Sequence, residues 1–391
     1  MSLSPSPAFE LSAKPTRSAS LTGDSYVLSI AALPDVYGVL ASAPSNKIHL
    51  FDRGSLRPTT TLEGHSAGAT QLRAADSALG ASRRVLVSSG KDCTVKVWDG
   101  RSDSPVMQMK QAGPARALLS VDVSPDGNTI AAGTELKSDE AQIVYWDPRK
   151  PAAPLRAHSS THSDDITTLH YLRGTSGPSI LLSASSDGLL SISNADEEDE
   201  DEAVIRVGNW GCSIAQAGWM STSSAPPRVW AASDMETFSI WSDEFELAND
   251  LDIRNPTVHT QDVSWVTDYL IGCHASDASG FSVFVGSNEG DVAFLRNEDY
   301  SDRASPWTLE RLFVGAHTGV VRSLFWDETN NVLLTGGEDS RLHAWTCTRP
   351  SSGSSSMDAG LSSGGFSPRK RDLDGDVEMG DTDDRVGAFR L

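Results

Sequence analysis

The sequence predicts an all-β fold, a seven-bladed propeller followed by a disordered acidic tail. Three observations predict it: a repeat of nearly constant spacing, a period-two alternation inside each repeat, and turn signals between the alternating runs. The clearest unit is VLVSSGKDCTVKVWD, Val85 to Asp99. A small-residue step, Ser88-Ser89-Gly90, precedes Asp92, and six residues later Trp98 ends an alternating run. LLTGGEDSRLHAW, Leu333 to Trp345, repeats this pattern. Other segments end alike at Phe51, Trp146, Ser193, Trp241 and Leu295, so the spacings from 51 to 345 are 47, 48, 47, 48, 54 and 50. Self-similarity at such a period marks an architecture built by stacking one supersecondary unit.

Each unit reads as short strands. Thr94-Val95-Lys96-Val97-Trp98 alternates with period two, which sends successive side chains to opposite faces of a sheet. Turn signals punctuate the units at Ser124-Pro125-Asp126-Gly127, Asp187-Gly188 and Glu289-Gly290. Four strands per unit and seven units make a propeller, because no blade buries both faces alone and the blades must stack around an axis. After Trp345 the chain reaches Arg349-Pro350 and then Ser/Gly, leaving blade seven without an outer strand. The N-terminal segment 1–21 is expected to supply it, from within Ala8 to Ser18. The propeller then spans 22–347 and the tail 348–391. Of the 17 residues from Ser351 to Ser367, 12 are Ser or Gly, a composition that cannot build a core.

Two units hold a polar quartet: His65, Ser88, Asp92 and Trp98 in the second, and His317, Thr335, Asp339 and Trp345 in the seventh. A buried His can link an Asp on one side to a hydroxyl on the other, and the hydroxyl can accept the indole N–H, so every polar atom has a partner. The fourth unit keeps His162, Ser183 and Asp187 but has Ser193 for Trp. These residues resemble the structural tetrad of the WD-repeat family over roughly 22–347. Within that family, Gly315–Trp345, Ala184–Val204 and Asp268–Ala275 resemble the WD-repeat-containing protein 89 family, with its acidic insert after the fourth blade. The resemblance implies a non-enzymatic scaffold. A Ser-His-Asp trio that recurs from blade to blade suits a fastener better than an active site.

Composition narrows the function further. The 391 residues hold 53 acids and 32 bases, a net charge of -21. Such a chain is poorly suited to phosphate backbones, so no direct nucleic-acid binding is expected. No apolar run approaches a membrane span, and the N-terminus has no basic and apolar leader pattern. Cys93, Cys212, Cys273 and Cys347 are scattered with no C-x-x-C, which argues against zinc and a disulfide framework. There is no phosphate loop, no G-x-S-x-G elbow and no H-E-x-x-H. His49, His158, His170, His259, His274 and His343 form no metal-like cluster in the sequence. No catalysis, cofactor or metal is expected, and the propeller is expected to be monomeric.

The charge has a location. Asp196, Glu197, Glu198, Asp199, Glu200, Asp201 and Glu202 form one unbroken run between the third strand of blade four (Leu189–Ser193) and its fourth (Ala203–Gly208). Topology puts this loop and the start of the tail on one face, as two mobile acidic segments. The run is expected to bind basic clients, such as histones or ribosomal proteins, through attraction that salt would weaken. In the tail, Arg369-Lys370-Arg371 after Ser367-Pro368 resembles a nuclear localisation signal, so a nuclear location, with some cytoplasmic protein, is expected. Loop residues beside the tetrads, Lys91, Arg116, Asp164, Asp165, Thr318 and Glu338, are further candidates for binding. An alternative reading is a substrate receptor of a cullin-RING ubiquitin ligase. Trp98-Asp99-Gly100-Arg101 and Trp146-Asp147-Pro148-Arg149 both read W-D-x-R, and Arg101 and Arg149 would dock the adaptor.

Overall fold

In the computed structural model, seven sheets each place consecutive strands side by side in antiparallel order. The structure describes residues 2–76, 84–174, 177–220, 226–261 and 263–347. The tail, with Arg369, Lys370 and Arg371, lies outside the described residues. Blade one runs through Val27–Ala32, Val36–Ala41, Ile48–Asp52 and Pro58–Leu62. Blades two to six repeat the plan, and blade seven contributes Val321–Asp327, Val332–Gly337 and Arg341–Thr346.

The repeat positions are structurally equivalent. Phe51, Trp98, Trp146, Ser193, Trp241, Leu295 and Trp345 all lie near the end of a third strand, opposite Tyr37, Leu86, Ile130, Leu181, Val229, Val283 and Leu333 of the second. Five residues earlier the chain turns, and there Asn46, Cys93, Gly188, Glu236, Gly290 and Ser340 all have positive φ, between 54 and 95°. Gly188 and Gly290 enter that region without a Cβ penalty, and the other four carry the strain of a tight turn. The long spacing of 54 is explained by an extra hairpin, Val258–His259 with Ser264–Trp265, between blades five and six.

Each interface between blades holds its own apolar cluster. Trp98 packs with Leu40, Ile48 and Leu62 of blade one, Trp241 with Leu182 and Leu190 of blade four, and Trp345 with Phe284, Phe294 and Phe313 of blade six. The cluster of Val27, Tyr37 and Phe51 with Val332, Leu334 and Leu342 joins blade one to blade seven and closes the ring. Where blade four lacks its Trp, the rings of Tyr145 and Tyr171, both fully buried, fill the space between blades three and four.

Two rings of hydrogen bonds tie the blades together. At the hub, a side chain from each first strand reaches the first strand of a neighbouring blade. Ser29 donates to Leu72 O (3.1 Å), Thr70 to Leu118 O (2.6 Å), Ser120 to Ile166 O (2.8 Å), Thr167 to Ile214 O (2.7 Å) and Ser323 to Val27 O (3.0 Å). Gln216 donates to Ile271 O at 3.4 Å, and the Tyr269 hydroxyl accepts from Val321 N at 2.8 Å. At the rim, Arg17, Arg156, Arg206, Asn249 and Arg311 occupy one register position on their fourth strands, each opposite the residue before the repeat position. Each donates to a carbonyl at the end of, or just past, the third strand of the next blade: Arg53, Ala195, Asp243, Tyr300 and Thr346. These bonds satisfy backbone groups that would otherwise be stranded between sheets.

The N-terminal segment takes a different course from the expected one. Arg17–Ser20 pairs with Arg341–Ala344 and completes blade seven, so only Arg17 and Ser18 of the expected window do this work. Leu3–Ser12 instead lies parallel to Trp307–Phe313 as a fifth strand of blade six. Two features place it there. Leu3 is buried with Trp230 and Trp307 in the cluster between blades five and six, and Glu10 pairs with Arg311.

Candidate functional site

The structure brings each full tetrad together. In blade two, His65 Nδ1 lies 2.8 Å from Asp92 Oδ1 and its Nε2 2.8 Å from Ser88 Oγ, which accepts the Trp98 indole N–H at 2.9 Å. In blade seven the corresponding distances are 3.0 Å from His317 to Asp339, 2.9 Å to Thr335 and 3.0 Å for the Trp345 N–H. Blade four keeps His162 within 2.7 Å of Ser183, and Asp187 stands 3.4 Å from the other ring nitrogen. Burial alone would raise these aspartates. Hydrogen bonds from the histidines and from backbone N–H groups outweigh it and hold Asp187 and Asp339 near 2 and Asp92 lower still. Ser88, Ser183 and Thr335 are fully buried, so no substrate reaches their hydroxyls.

One histidine expectation needs correction. His343 lies against the blade-seven tetrad, and its ligating atoms and those of His317 and Asp339 all lie within 4.8 Å of one another. Sequence spacing hides this, because the strand register places His343 where Lys96 stands beside Asp92 in blade two. The donors are already engaged: His317 with Asp339 and Thr335, and His343 Nδ1 with Ser18 Oγ at 2.8 Å. Burial pushes the imidazoles of His49, His158, His170 and His274 down, and His343 to about 4. The unfolded chain would then take up protons from about pH 6.5 that the folded chain refuses. Stability is present in full above pH 6.5 and is lost as pH falls toward 4, His343 alone accounting for on the order of 3 kcal/mol. A second loss follows between about pH 4 and 2 as the tetrad aspartates protonate. Urea midpoints measured from pH 7.5 to 3 check this; a flat profile down to pH 4.5 would contradict it.

The acidic run is not the free, mobile loop that its composition suggests. Glu200–Ala203 forms one helical turn, with Asp199 capping it by accepting from Asp201 N. Blade four's fourth strand consequently starts at Val204. Glu200 turns inward and accepts from Ser159 N (2.7 Å), Ser160 N (2.8 Å), Thr161 N (2.8 Å) and the Thr161 hydroxyl (2.6 Å). Burial would raise its pKa, but these donors outweigh it and keep Glu200 ionised. Asp196 accepts from Ser179 N at 2.8 Å. Glu198, Asp201 and Glu202 remain exposed, with Glu197 partly covered.

Arg101 and Arg149 fold back on their own motifs. Arg149 grips Asp147 with two bonds of 2.8 and 3.0 Å, and Arg101 grips Asp99 in the same way. Arg254 makes the identical fork to Asp252 (2.9 and 2.7 Å) with no tryptophan before it, so the D-x-R turn alone makes the geometry. Of the loop candidates, Arg116 is buried against Glu140 (2.8 Å), Glu338 holds Arg322, Asp165 accepts from Leu136 N and Thr318 N donates to Asp339. Asp164 accepts from Asp165 N, and Lys91 is exposed.

Sequence reasoning missed a cavity of about 450 Å³ where blades five, six and seven meet, at the edge of the second-to-third-strand turns. Asp234 and Glu236 come from the blade-five turn, Asp268 precedes the first strand of blade six, and Arg322 and Asn288 complete the wall. Asp268 accepts from Asn288 N at 2.7 Å and Glu236 from Leu270 N at 2.8 Å. Burial raises the Glu236 carboxyl above its usual range. Arg322 is neutralised by Glu338, so the cavity presents a net negative charge. The signal available was Ser-Asp-Met-Glu where another blade has its Gly-Lys-Asp turn, but nothing local pointed Glu236 toward blade six.

The comparisons agree with this geometry. The WD domain, G-beta repeat model matches residues 56–99 and 308–346, which include the third strands carrying Trp98 and Trp345. The chain is a WD-repeat propeller. WD-repeat relatives match along most of its length. It is 28% identical to the WD repeat-containing protein GTS1 of Arabidopsis thaliana, covering 83% of this chain and 81% of the relative. It is 26% identical to the WD repeat-containing protein 89 homolog of Dictyostelium discoideum, covering 82% of each. An uncharacterised WD repeat-containing protein of Saccharomyces cerevisiae is 27% identical over 79% of this chain and 76% of its own length. WD-repeat propellers are generally protein-interaction scaffolds.

Proposed function

We propose that this WD-repeat propeller is a scaffold that holds a basic segment of a protein partner, with one cationic side chain entering the cavity between blades five, six and seven. The observation that carries the reading is the convergence there of Asp234, Glu236 and Asp268 around about 450 Å³. A Lys or Arg inserted beside Glu236 would pair with a partly buried carboxylate that accepts one backbone donor. Glu198, Asp201 and Glu202, carried on a loop pinned by Glu200, would steer such a partner from another edge of the disc. Histones and ribosomal proteins fit this chemistry. A nuclear location, through Arg369, Lys370 and Arg371, belongs to the same proposal.

Affinity purification at low and high salt tests it. Basic nuclear proteins should be recovered at low salt and elute with salt. Recovery should fall at least fivefold with Asp234→Asn and Asp268→Asn, and by less with Glu198→Gln, Asp201→Asn and Glu202→Gln, which spare Glu200. Unchanged recovery with both sets of substitutions would sink the reading. A second reading, docking to a cullin-RING adaptor, is favoured by the equivalent placement of Arg101 and Arg149 on adjacent blades, with side chains 67% and 64% exposed. Adaptor recovered with the wild type and lost with Arg101→Ala and Arg149→Ala would support that second reading.

A further inference from the structure

We propose that the outer edge of blade four is a docking site for an extended basic segment of a protein partner, which joins the sheet as a fifth strand. The edge is Val204–Asn209, and among the described residues no strand pairs to its outer side. An open edge presents a row of backbone N–H and C=O groups ready to pair, and proteins ordinarily blunt it. The other blades do so here. Blade one's outer strand begins with Pro58, those of blades two, three and seven have four residues or fewer, and blade five's carries Asp250 and Asp252. Blade six's outer strand is covered by Leu3–Ser12, which itself carries Pro5 and Pro7, so the outer edge of a blade in this molecule does accept a further strand. Blade four's has six residues and no proline, lysine or acid. Its one irregularity falls at its start, and Arg206 to Asn209 stay in regular register with Ile192 to Leu189.

The two faces of this edge differ. Arg206 donates to Asp243 O, and Gly208 lies against the Trp241 ring, so these residues turn toward blade five. Ile205 and Val207 alternate with them and stand 49% and 52% exposed. Acids surround the head of the strand. Glu198, Asp201 and Glu202 come from the turn before it, and Asp243, Glu244 and Glu246 from the turn of blade five that Arg206 reaches; all are exposed. The bases on this side are turned elsewhere. Arg156 of blade three donates to Ala195 O from over the Tyr145 ring, and Arg149 and Lys150 hold the Asp147 carboxyl below its usual range.

An incoming strand continues the alternation. Every second side chain comes beside Ile205 and Val207, and the others face the acids. The partner that fits therefore alternates apolar residues with Lys or Arg. Backbone pairing supplies affinity, and the acids select the charge. This edge is separate from the cavity between blades five, six and seven, and shares with that reading only the basic character of the partner.

The test uses the full chain and a short synthetic peptide alternating Lys and Val, followed by fluorescence anisotropy and by amide hydrogen exchange. The control peptide has the same sequence with alternate backbone nitrogens methylated, which keeps the charge and removes the strand-forming donors. Saturable binding of the first peptide is expected, with protection gained within Val204–Asn209, and binding of the control at least tenfold weaker. Ile205→Ser with Val207→Ser should weaken binding at least fivefold; both side chains are half exposed, so the fold survives their loss. Asp234→Asn with Asp268→Asn should leave binding unchanged, which keeps this result distinct from that of the cavity. No saturable binding, equal binding of the two peptides, or protection gained only outside Val204–Asn209 would overturn the proposal. Protection of these amides before peptide is added would assign the edge to the chain itself or to a second copy, which light scattering distinguishes, and would overturn it equally.

Discussion

Removing residues 2–20 is expected to unfold the propeller at room temperature, whereas removing residues 2–12 is expected to leave it folded and less stable by about 2–3 kcal/mol. The difference follows from what each segment closes. Arg17–Ser20 is the only described strand paired to the outer side of Arg341–Thr346. Around it, Thr16 N and Leu21 N donate to Ala344 O and Ser340 O, both at 2.8 Å, and Ser18 meets His343. Ala19 packs against the cluster that joins blade seven to blade one, and Arg17 reaches the Arg53 carbonyl. Its loss exposes a sheet edge and opens the ring at its one covalent discontinuity. The cost should approach the whole stability of a domain, roughly 5–15 kcal/mol. The shorter truncation forfeits the burial of Leu3 and the Glu10–Arg311 pair but leaves blade six its four own strands. Urea denaturation followed by tryptophan fluorescence distinguishes the two, and equal midpoints would refute the assignment of separate roles.

Trp98→Ala is expected to cost about 3–5 kcal/mol, and Trp98→Phe about 1–2 kcal/mol. The side chain is 1% exposed and fills the joint between blades one and two against Leu40, Ile48 and Leu86. Truncation to Ala leaves a cavity that strands on two separate blades cannot easily collapse. The Phe variant keeps much of the volume but removes the N–H that donates to Ser88 Oγ at 2.9 Å. Ser88 then keeps only its bond with His65, and the loss is that of one buried hydrogen bond. Equilibrium denaturation of the two variants separates packing from hydrogen bonding. Equal costs would mean that the tetrad's hydrogen bond, and not the indole's volume, dominates the joint.

Much of the fold was legible because its signals are local. Lys91-Asp92-Cys93 specifies a turn, and Thr94 to Trp98 specifies a strand with one face buried, wherever the unit sits. Ser193 in place of Trp was visible too. That Tyr145 and Tyr171 fill the gap was not, because they come from two different blades and share no spacing with it. The rim register of Arg17, Arg156, Arg206, Asn249 and Arg311 could have been found by aligning the fourth strands, but those strands vary most in length and composition. Glu200 shows the limit most clearly. Seven acids in a row read as solvated by composition, yet one of them holds four donors from the neighbouring connection and turns a charge run into a structural clip.

The sequence by itself determined the blade count, the strand and turn pattern within each blade, and the tetrads. Backbone preference, period-two alternation and small-residue turns are decided by residues a few positions apart, and the repeat multiplies each weak signal. Only the tertiary structure decided which blade each half of the N-terminal segment joins, which acids face inward, and where the acidic cavity between blades five, six and seven lies. Those outcomes depend on groups tens to hundreds of residues apart competing for the same donors and the same buried volume, and desolvation settles that competition only once the ring has closed.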